Sequence, residues 1–171
     1  MKVTVIAGNP KPRSRTLDAA VMLAESVALQ SPTAVIDVID LKEGLLGWGD
    51  VDVRTAVDTA GHSHLLFVAS PTFKATYCGV LKLFLDQFAT SEGLRDVVAI
   101  PLMLGASPMH ALAPELLLKP VLAELGALCP APGLYLIDST YSTDGRIADY
   151  ANRWGESVRA FTRAHIEAGL G

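Results

Sequence analysis

Short apolar segments alternate with longer amphipathic segments along this chain, and this alternation restricts its fold more than any other feature. Apolar, β-branched runs favour strands, whereas apolar residues that recur every three to four positions favour helices. The predicted strands are Val3 to Ala7, Ala34 to Leu41, Leu65 to Ala69, Val97 to Leu104 and Leu134 to Ile137. The predicted helices are Leu17 to Gln30, Val51 to Ala60, Ala75 to Phe88, one within His110 to Leu125, and about Ile147 to Ala168.

Apolar strands that are separated by helices predict a parallel sheet, because each helical connection returns the chain to the same end of the sheet. We therefore expect an α/β fold, a doubly wound five-stranded parallel sheet with helices on both faces. The second strand is partly polar and is expected near an edge. Residues 1–171 contain no linker or internal repeat, which predicts a single domain. Ligands of such folds bind beyond the carboxyl ends of the strands.

Composition restricts the environment and the partners of the chain. Its net charge of −4 argues against general nucleic-acid binding. No uncharged apolar stretch reaches the ~20 residues that span a bilayer, so no membrane association is expected. The N-terminus enters a strand without a signal peptide, and Cys78 and Cys129 do not form a C-x-x-C pair. These features predict a cytoplasmic protein.

Half of the residues are hydrophobic, which is a high fraction for one small domain. Part of that apolar surface is expected to close an interface between subunits, so the composition predicts a homodimer or homotetramer. The segment Tyr77 to Phe88, with Leu81, Phe84, Leu85 and Phe88, is the candidate interface helix. Packing of the same helix on its own sheet is the alternative.

The loop after the first strand, Gly8 to Thr16, has the composition of a phosphate site. The first backbone N–H groups of a helix lack partners inside the helix, and the helix dipole favours an anion there. The loop adds the cations Lys11, Arg13 and Arg15 and the hydroxyls Ser14 and Thr16. An ordinary loop with a hydroxyl cap and solvated charges is the alternative. The chain lacks both G-x-x-x-x-G-K-[ST] and G-x-G-x-x-G, which excludes the two commonest nucleotide fingerprints.

Two further loops follow the third and fourth predicted strands. Ser70 to Tyr77 offers an aromatic ring beside a proline turn, and Gly105 to His110 offers small residues that let the backbone approach a ligand closely. A phosphate site at one end and a flat, partly apolar platform at the other suit a mononucleotide with a large aromatic ring. These loops together point to FMN.

The motifs in these loops resemble the NADPH-dependent FMN reductases of flavodoxin-like fold, and most closely those serving alkanesulfonate and methanesulfonate monooxygenases. In that group the first loop is Ala-Gly-Ser-Pro-Arg and then Ser-Arg-Ser, and here it is Ala7-Gly8-Asn9-Pro10-Lys11 and then Ser14-Arg15-Thr16. The group's Thr-Pro-Val-Tyr-Lys-Ala corresponds to Ser70-Pro71-Thr72-Phe73-Lys74-Ala75. Its Pro-Leu-Ala-Thr-Gly-Gly-Thr corresponds to Pro101-Leu102-Met103-Leu104-Gly105-Ala106-Ser107, and its Leu-Lys-Pro-Val-Leu recurs at 118–122.

The resemblance implies an NAD(P)H-dependent FMN reductase that supplies reduced flavin to a two-component monooxygenase. The cofactors would be FMN and NADPH or NADH. No metal site and no catalytic side chain are expected, because the flavin carries the hydride chemistry. A flavin-dependent quinone or azo reductase and a non-catalytic flavin-binding protein are the alternatives. The residues expected to bind the cofactor are Asn9, Lys11, Arg13, Ser14, Arg15, Thr16, Pro71, Thr72, Phe73, Lys74, Gly105, Ala106 and Ser107.

Several positions depart from the pattern of the group. Phe73 replaces a tyrosine and keeps the flat face without the hydroxyl, and Asn9 replaces a serine beside the phosphate. Leu104 and Ala106 stand where the group has a threonine and a second glycine, which predicts a loosely held, exchangeable flavin. Some relatives carry an extra aromatic residue associated with a π-bulge, and Leu116 at the matching position predicts that this bulge is absent.

Overall fold

The computed structural model of the chain describes residues 1–169, so the last two positions of the predicted domain lie outside it. Its strands are β1 Val3–Ala7, β2 Ala34–Asp37, β3 Leu65–Phe73, β4 Thr76–Tyr77, β5 Val98–Gly105 and β6 Leu134–Ile137. The sheet has the order β2-β1-β3-β5-β6, and its neighbouring strands are all parallel. With the short β4 set aside, this is the flavodoxin-like order 2-1-3-4-5. The predicted five-stranded parallel sheet is confirmed, and β2 lies at an edge.

Helices cover both faces of the sheet, as predicted. They are α1 Arg15–Ala28, α2 Val51–Gly61, α3 Gly79–Leu85, α4 Lys119–Glu124 and α5 Arg146–Glu167. Alternate residues of β3 point to opposite faces because the side-chain period of a strand is two. Leu65 and Phe67 join a core with α1 and α5, whereas Leu66 and Val68 join a core with α2, α3 and α4. No helix in residues 1–169 combines the length and apolarity needed to cross a bilayer.

Three predicted boundaries of the second strand and the first helix are wrong. The second strand ends at Asp37 rather than at Leu41, because the chain turns there into two short 3₁₀ turns that lie within Val38–Leu46 and meet at a kink at Lys42. Helix α1 begins at Arg15 rather than Leu17, since Ser14 caps it, and it ends at Ala28 because Leu29 takes a left-handed conformation.

The segment after β3 is a hairpin instead of the predicted start of a helix. Lys74 and Ala75 have φ angles of 53° and 72°, which reverse the chain so that β4 pairs antiparallel with the end of β3. The Cys78 amide then donates to Ser70 Oγ at 2.9 Å, and α3 begins only at Gly79. The prediction was wrong because the apolar residues from position 75 onward have helical spacing. That spacing carries no information about the positive φ angles of Lys74 and Ala75.

Helix α3 packs on its own sheet. Leu81 and Phe84 are fully buried, and Leu85 and Phe88 are at most 6% exposed. These side chains belong to the core that α2, α3 and α4 form against the sheet. These four side chains therefore pack on the chain's own sheet, as the alternative has it, and the subunit interface stays a prediction.

A π-helical turn, Pro114–Leu118, precedes α4, so the prediction that the bulge is absent is wrong. The Lys119 amide donates to the Pro114 carbonyl, five residues earlier. Pro120 follows directly, and a proline has no N–H and collides with the carbonyl four residues before it. The widened turn therefore forms directly before a proline and with a leucine, not an aromatic residue, at position 116.

Candidate functional site

A cleft of about 530 Å³ opens beyond the carboxyl ends of β1, β3 and β5. It lies at the point where the strand order reverses, which is where ligands bind in doubly wound sheets. The structure brings together here most of the predicted binding residues, namely Asn9, Lys11, Arg13, Ser14, Arg15, Thr16, Pro71, Thr72, Phe73, Gly105 and Ala106. Leu104, Pro10 and Asp138 also line it.

Lys74 and Ser107 are the two predicted residues that the cleft does not include. They line a side pocket of about 240 Å³ together with His110 and Tyr135. This side pocket shares Thr72, Gly105 and Ala106 with the cleft, so the two spaces are adjacent.

Asn9 organises the phosphate loop from within. Its Nδ2 donates to Thr16 Oγ1 at 2.9 Å, and its Oδ1 accepts from the Lys11 amide at 2.9 Å. Asn9, Ser14 and Thr16 are buried. The asparagine thus ties the first and last parts of the loop together, a framework role that a serine side chain is too short to reproduce in the same way.

The start of α1 presents unpaired amides to the cleft. Ser14 Oγ accepts from the Leu17 amide at 3.3 Å, and the Asp18 amide donates to the Ser14 carbonyl at 3.1 Å. Within the described chain, the amides of Arg15 and Thr16 have no acceptor. These two donors, the positive end of the helix dipole and the surrounding cations give this end of the cleft the chemistry that suits an anion.

Asp37 is a loop-shaping residue that the sequence analysis missed. Its Oδ2 accepts from the Arg13 amide at 2.8 Å, which holds Arg13 at a φ of 49°. Burial raises the pKa of the Asp37 carboxyl, and its Oδ1 is buried without a partner among residues 1–169. Asp37 pairs with Ala7 in the sheet, so its position at a strand end beside β1 was the available signal.

Asp138 is the second residue that the analysis left without a role. It follows β6, and it binds Arg15 from across the cleft. Because Asp138 also follows a strand, its polar character at the carboxyl edge of the sheet was again the available signal.

At the opposite end of the cleft, Thr72, Phe73 and Gly105 form a flat surface, which is named the platform. Phe73 is half exposed, and Thr72 Oγ1 is buried with no hydrogen-bond partner in the described part of the chain. A Cβ at Gly105 would overlap the Tyr135 hydroxyl, which itself donates to the Ser107 carbonyl at 2.9 Å. Only glycine permits this close approach of β5 to Tyr135. Because Gly105 has no side chain, the backbone of β5 itself lines the cleft at this position.

These features fit a mononucleotide with a planar ring system. The anion site suits a phosphate, the orphaned Thr72 hydroxyl suits a polar ring edge, and the Gly105 floor with Phe73 suits a flat face. Residues 1–169 contain no cluster of three or more His, Cys, Asp or Glu side chains that would suit a metal ion.

The chain matches known flavin reductases in sequence. The family model described as NADPH-dependent FMN reductase matches residues 1–142. FMN reductase (NADPH) of Escherichia coli is 35% identical over 101 residues, which are 59% of this chain and 49% of that protein. The chain thus spans about half the length of this relative. NADH-dependent FMN reductase SfnF of Pseudomonas putida is 28% identical over 145 residues, covering 79% of this chain and 76% of that one.

One solved structure of a flavin reductase is similar to this chain in both fold and sequence. The apo form of an NADH:FMN oxidoreductase named EMOB superposes with a TM-score of 0.82 and 31% sequence identity. The superposition covers 93% of this chain and 88% of that chain.

Proposed function

This chain belongs to the NADPH-dependent FMN reductase family, and from that premise we propose that it is an NAD(P)H-dependent FMN reductase. We further propose that reduced FMN leaves it for a separate flavin-dependent monooxygenase. One observation carries the proposal: a single cleft joins the anion site at the start of α1 to the platform formed by Phe73 and Gly105.

The proposed phosphate contacts come from the loop between β1 and α1. The free amides of Arg15 and Thr16 and the hydroxyl of Ser14 supply neutral donors, and Arg13 and Lys11 supply charge. Pro71, Thr72, Phe73, Gly105 and Ala106 surround the proposed ring position. Lys74 and Ser107 border the adjoining side pocket.

When bound, the flavin supplies the group that accepts hydride from the nicotinamide. The chain's own contribution is orientation, because it holds two planar molecules in contact and excludes water from one side. The rigid Pro71 to Phe73 strand end and the Gly105 floor fix the lower face of the cleft. The half-exposed Phe73 leaves the mouth of the cleft accessible to NADPH or NADH.

Exchange of the flavin is supported by the openness of the site. Arg15, which lines the phosphate end, has a 61% exposed side chain. Ala106 adds a methyl group at the proposed ring edge, and Leu104 offers no hydroxyl there. A flavin held this loosely suits a substrate that is reduced and released, as delivery to a monooxygenase requires.

Steady-state oxidation of NADPH and of NADH, with and without added FMN, tests this function. We expect the purified protein to be nearly colourless, to require added FMN, and to release reduced FMN into an anaerobic ultrafiltrate. A yellow protein that keeps its flavin through dialysis and passes electrons directly to quinones or azo compounds would contradict the proposed role.

We also propose a homodimer or homotetramer whose interface lies beside the cleft. Met109, Leu112 and Leu116 are 83%, 65% and 62% exposed around the π-helical turn. With Leu117 they line an apolar groove of about 440 Å³, and this set of four residues is named the apolar rim. A second copy of the chain is the proposed occupant, because the groove shares His110 with the side pocket and so continues the proposed flavin site.

A further inference from the structure

Two residue pairs, Arg15 with Asp138 and Asp18 with Tyr141, hold the segment after β6 against the first turn of α1, and together they are named the clasp. Arg15 Nη1 donates to the Asp138 carbonyl at 3.0 Å, and Arg15 Nη2 lies 3.1 Å from Asp138 Oδ2. The Tyr141 hydroxyl donates to Asp18 Oδ2 at 2.8 Å. The clasp joins residues more than a hundred positions apart in the chain, so it is a product of the tertiary fold.

The pair of Arg15 and Asp138 lies inside the cleft. Arg15 and Asp138 both line it, whereas Asp18 and Tyr141 do not. Within residues 1–169, Asp138 is the one carboxylate among the lining residues, and it faces an end that is otherwise built to bind an anion.

The three cations of the phosphate loop are therefore not equivalent. In the described part of the chain, the side chains of Lys11 and Arg13 have no ion-pair or hydrogen-bond partner. Arg15 instead gives two of its donors to Asp138. The carboxylate both occupies Arg15 and adds a negative charge close to the place where a phosphate would bind.

We propose that Asp138 sets the affinity of the cleft for the phosphate of FMN by competing with that phosphate for Arg15. This inference rests on the proposed function, because it concerns the same flavin site. A bound phosphate must share Arg15 with the carboxylate and is repelled by it, whereas riboflavin, which carries no phosphate, is not affected. Asp138 thereby keeps FMN exchangeable while leaving recognition of the ring unchanged.

The test compares FMN with riboflavin in the variant Asp138→Asn. Asparagine keeps the size of the side chain, an oxygen acceptor for Arg15 and the backbone carbonyl contact, but it removes the charge. Dissociation constants are measured by quenching of flavin fluorescence at low ionic strength, where screening is weak. We expect FMN to bind roughly three- to ten-fold more tightly, the order expected when one unit charge leaves an accessible anion site. Riboflavin affinity should change by less than about two-fold, because it lacks the charged partner.

A matched control is Asp18→Asn, which removes a carboxylate of the same clasp outside the lining of the cleft. It should change the FMN to riboflavin preference much less than Asp138→Asn does. In an Arg15→Gln background the gain from Asp138→Asn should fall markedly, which is the coupling that competition for Arg15 requires. Asp138→Ser should act in the same direction as Asp138→Asn, so that a folding defect in one variant does not decide the outcome.

Weaker FMN binding in Asp138→Asn and Asp138→Ser, or an unchanged preference for FMN over riboflavin, would overturn the inference while leaving the proposed function intact. An equal gain in the Asp18→Asn control would overturn it as well, since that would indicate a general charge effect. Failure of the unmodified protein to bind FMN would overturn the proposed function and this inference with it.

Discussion

At the scale of single residues, the cleft depends on side chains that act on the backbone as much as on side chains that face a ligand. Asn9 links Thr16 to the Lys11 amide, and Asp37 holds the Arg13 amide. Arg13 is thereby fixed in a conformation that costs free energy for any residue other than glycine. Its side chain has no ion-pair or hydrogen-bond partner in the described part of the chain, which leaves it available for the proposed phosphate contact.

Replacing Arg13 should therefore weaken FMN binding selectively. A charge-assisted hydrogen bond contributes about 1.5–3 kcal/mol, so Arg13→Gln should raise the FMN dissociation constant by at least about ten-fold. Riboflavin binding should change little. Titration of both flavins by fluorescence quenching checks this, and Arg54→Gln, at an exposed arginine of α2, is the control for a general loss of charge. Equal losses for FMN and riboflavin would indicate that the phosphate binds elsewhere.

Gly105 should tolerate no side chain unless Tyr135 is also changed. A Cβ at this position overlaps the Tyr135 hydroxyl, and overpacking of this kind costs about 1–3 kcal/mol. Gly105→Ala should lower both the melting temperature and FMN affinity. Adding Tyr135→Phe should restore part of the stability, since the overlapping oxygen is gone. Calorimetry of the single and double variants measures this, and a double variant no more stable than Gly105→Ala would contradict the proposed overlap.

At the scale of elements, the hairpin between β3 and α3 places Phe73 at the edge of the cleft. Its turn residues Lys74 and Ala75 both have positive φ angles, and neither is a glycine. For such residues the left-handed conformation costs roughly 1–2 kcal/mol. The pairing of β4 with β3 offsets that cost and holds the platform in place.

Relieving this strain should stabilise the protein. Ala75→Gly removes the Cβ at a φ of 72° and so relieves the strain of that conformation. Glycine also has a larger chain entropy in the unfolded state, which offsets part of the gain. The free energy of unfolding should therefore rise by a few tenths to about 1 kcal/mol. Ala123→Gly in the last turn of helix α4 is the matched control and should destabilise by up to about 1 kcal/mol. Urea unfolding of both variants gives the comparison. A loss of stability in Ala75→Gly would show that the turn is not strained.

At the scale of the whole molecule, the apolar rim is the surface that the single chain leaves uncovered beside its cleft. The core beneath it is complete, because Leu118 and Leu122 are buried while Leu112 and Leu116 point outward. The proposed subunit interface explains why these leucines are exposed, and it would place a second chain next to the side pocket.

Charging the rim should disrupt the proposed assembly. Leu112→Glu with Leu116→Glu would place two carboxylates in an apolar contact, so light scattering at micromolar concentration should show a monomer in place of a dimer or tetramer. Leu46→Glu, at a leucine that is 77% exposed outside the rim, is the control and should leave the mass unchanged. A monomeric unmodified protein would contradict the proposed interface.

The sequence by itself determined the parallel sheet, the helices on both faces and the loops that form the cleft. These properties follow from local hydrophobic patterns and from the rule that ligands bind at the carboxyl edge of such sheets. Motif order also identified the family, since the matching segments keep their spacing along the chain.

The tertiary structure alone decided the hairpin at Lys74, the burial of α3, the π-helical turn and the roles of Asp37 and Asp138. The hairpin and the π-helical turn depend on backbone torsions and on proline sterics, which hydrophobic periodicity does not register. The two aspartates act on residues of the phosphate loop that are distant from them in the chain. Such contacts exist only once the sheet has brought the strand ends together, so the sequence could signal that these aspartates lie at the carboxyl edge but not which residues they bind.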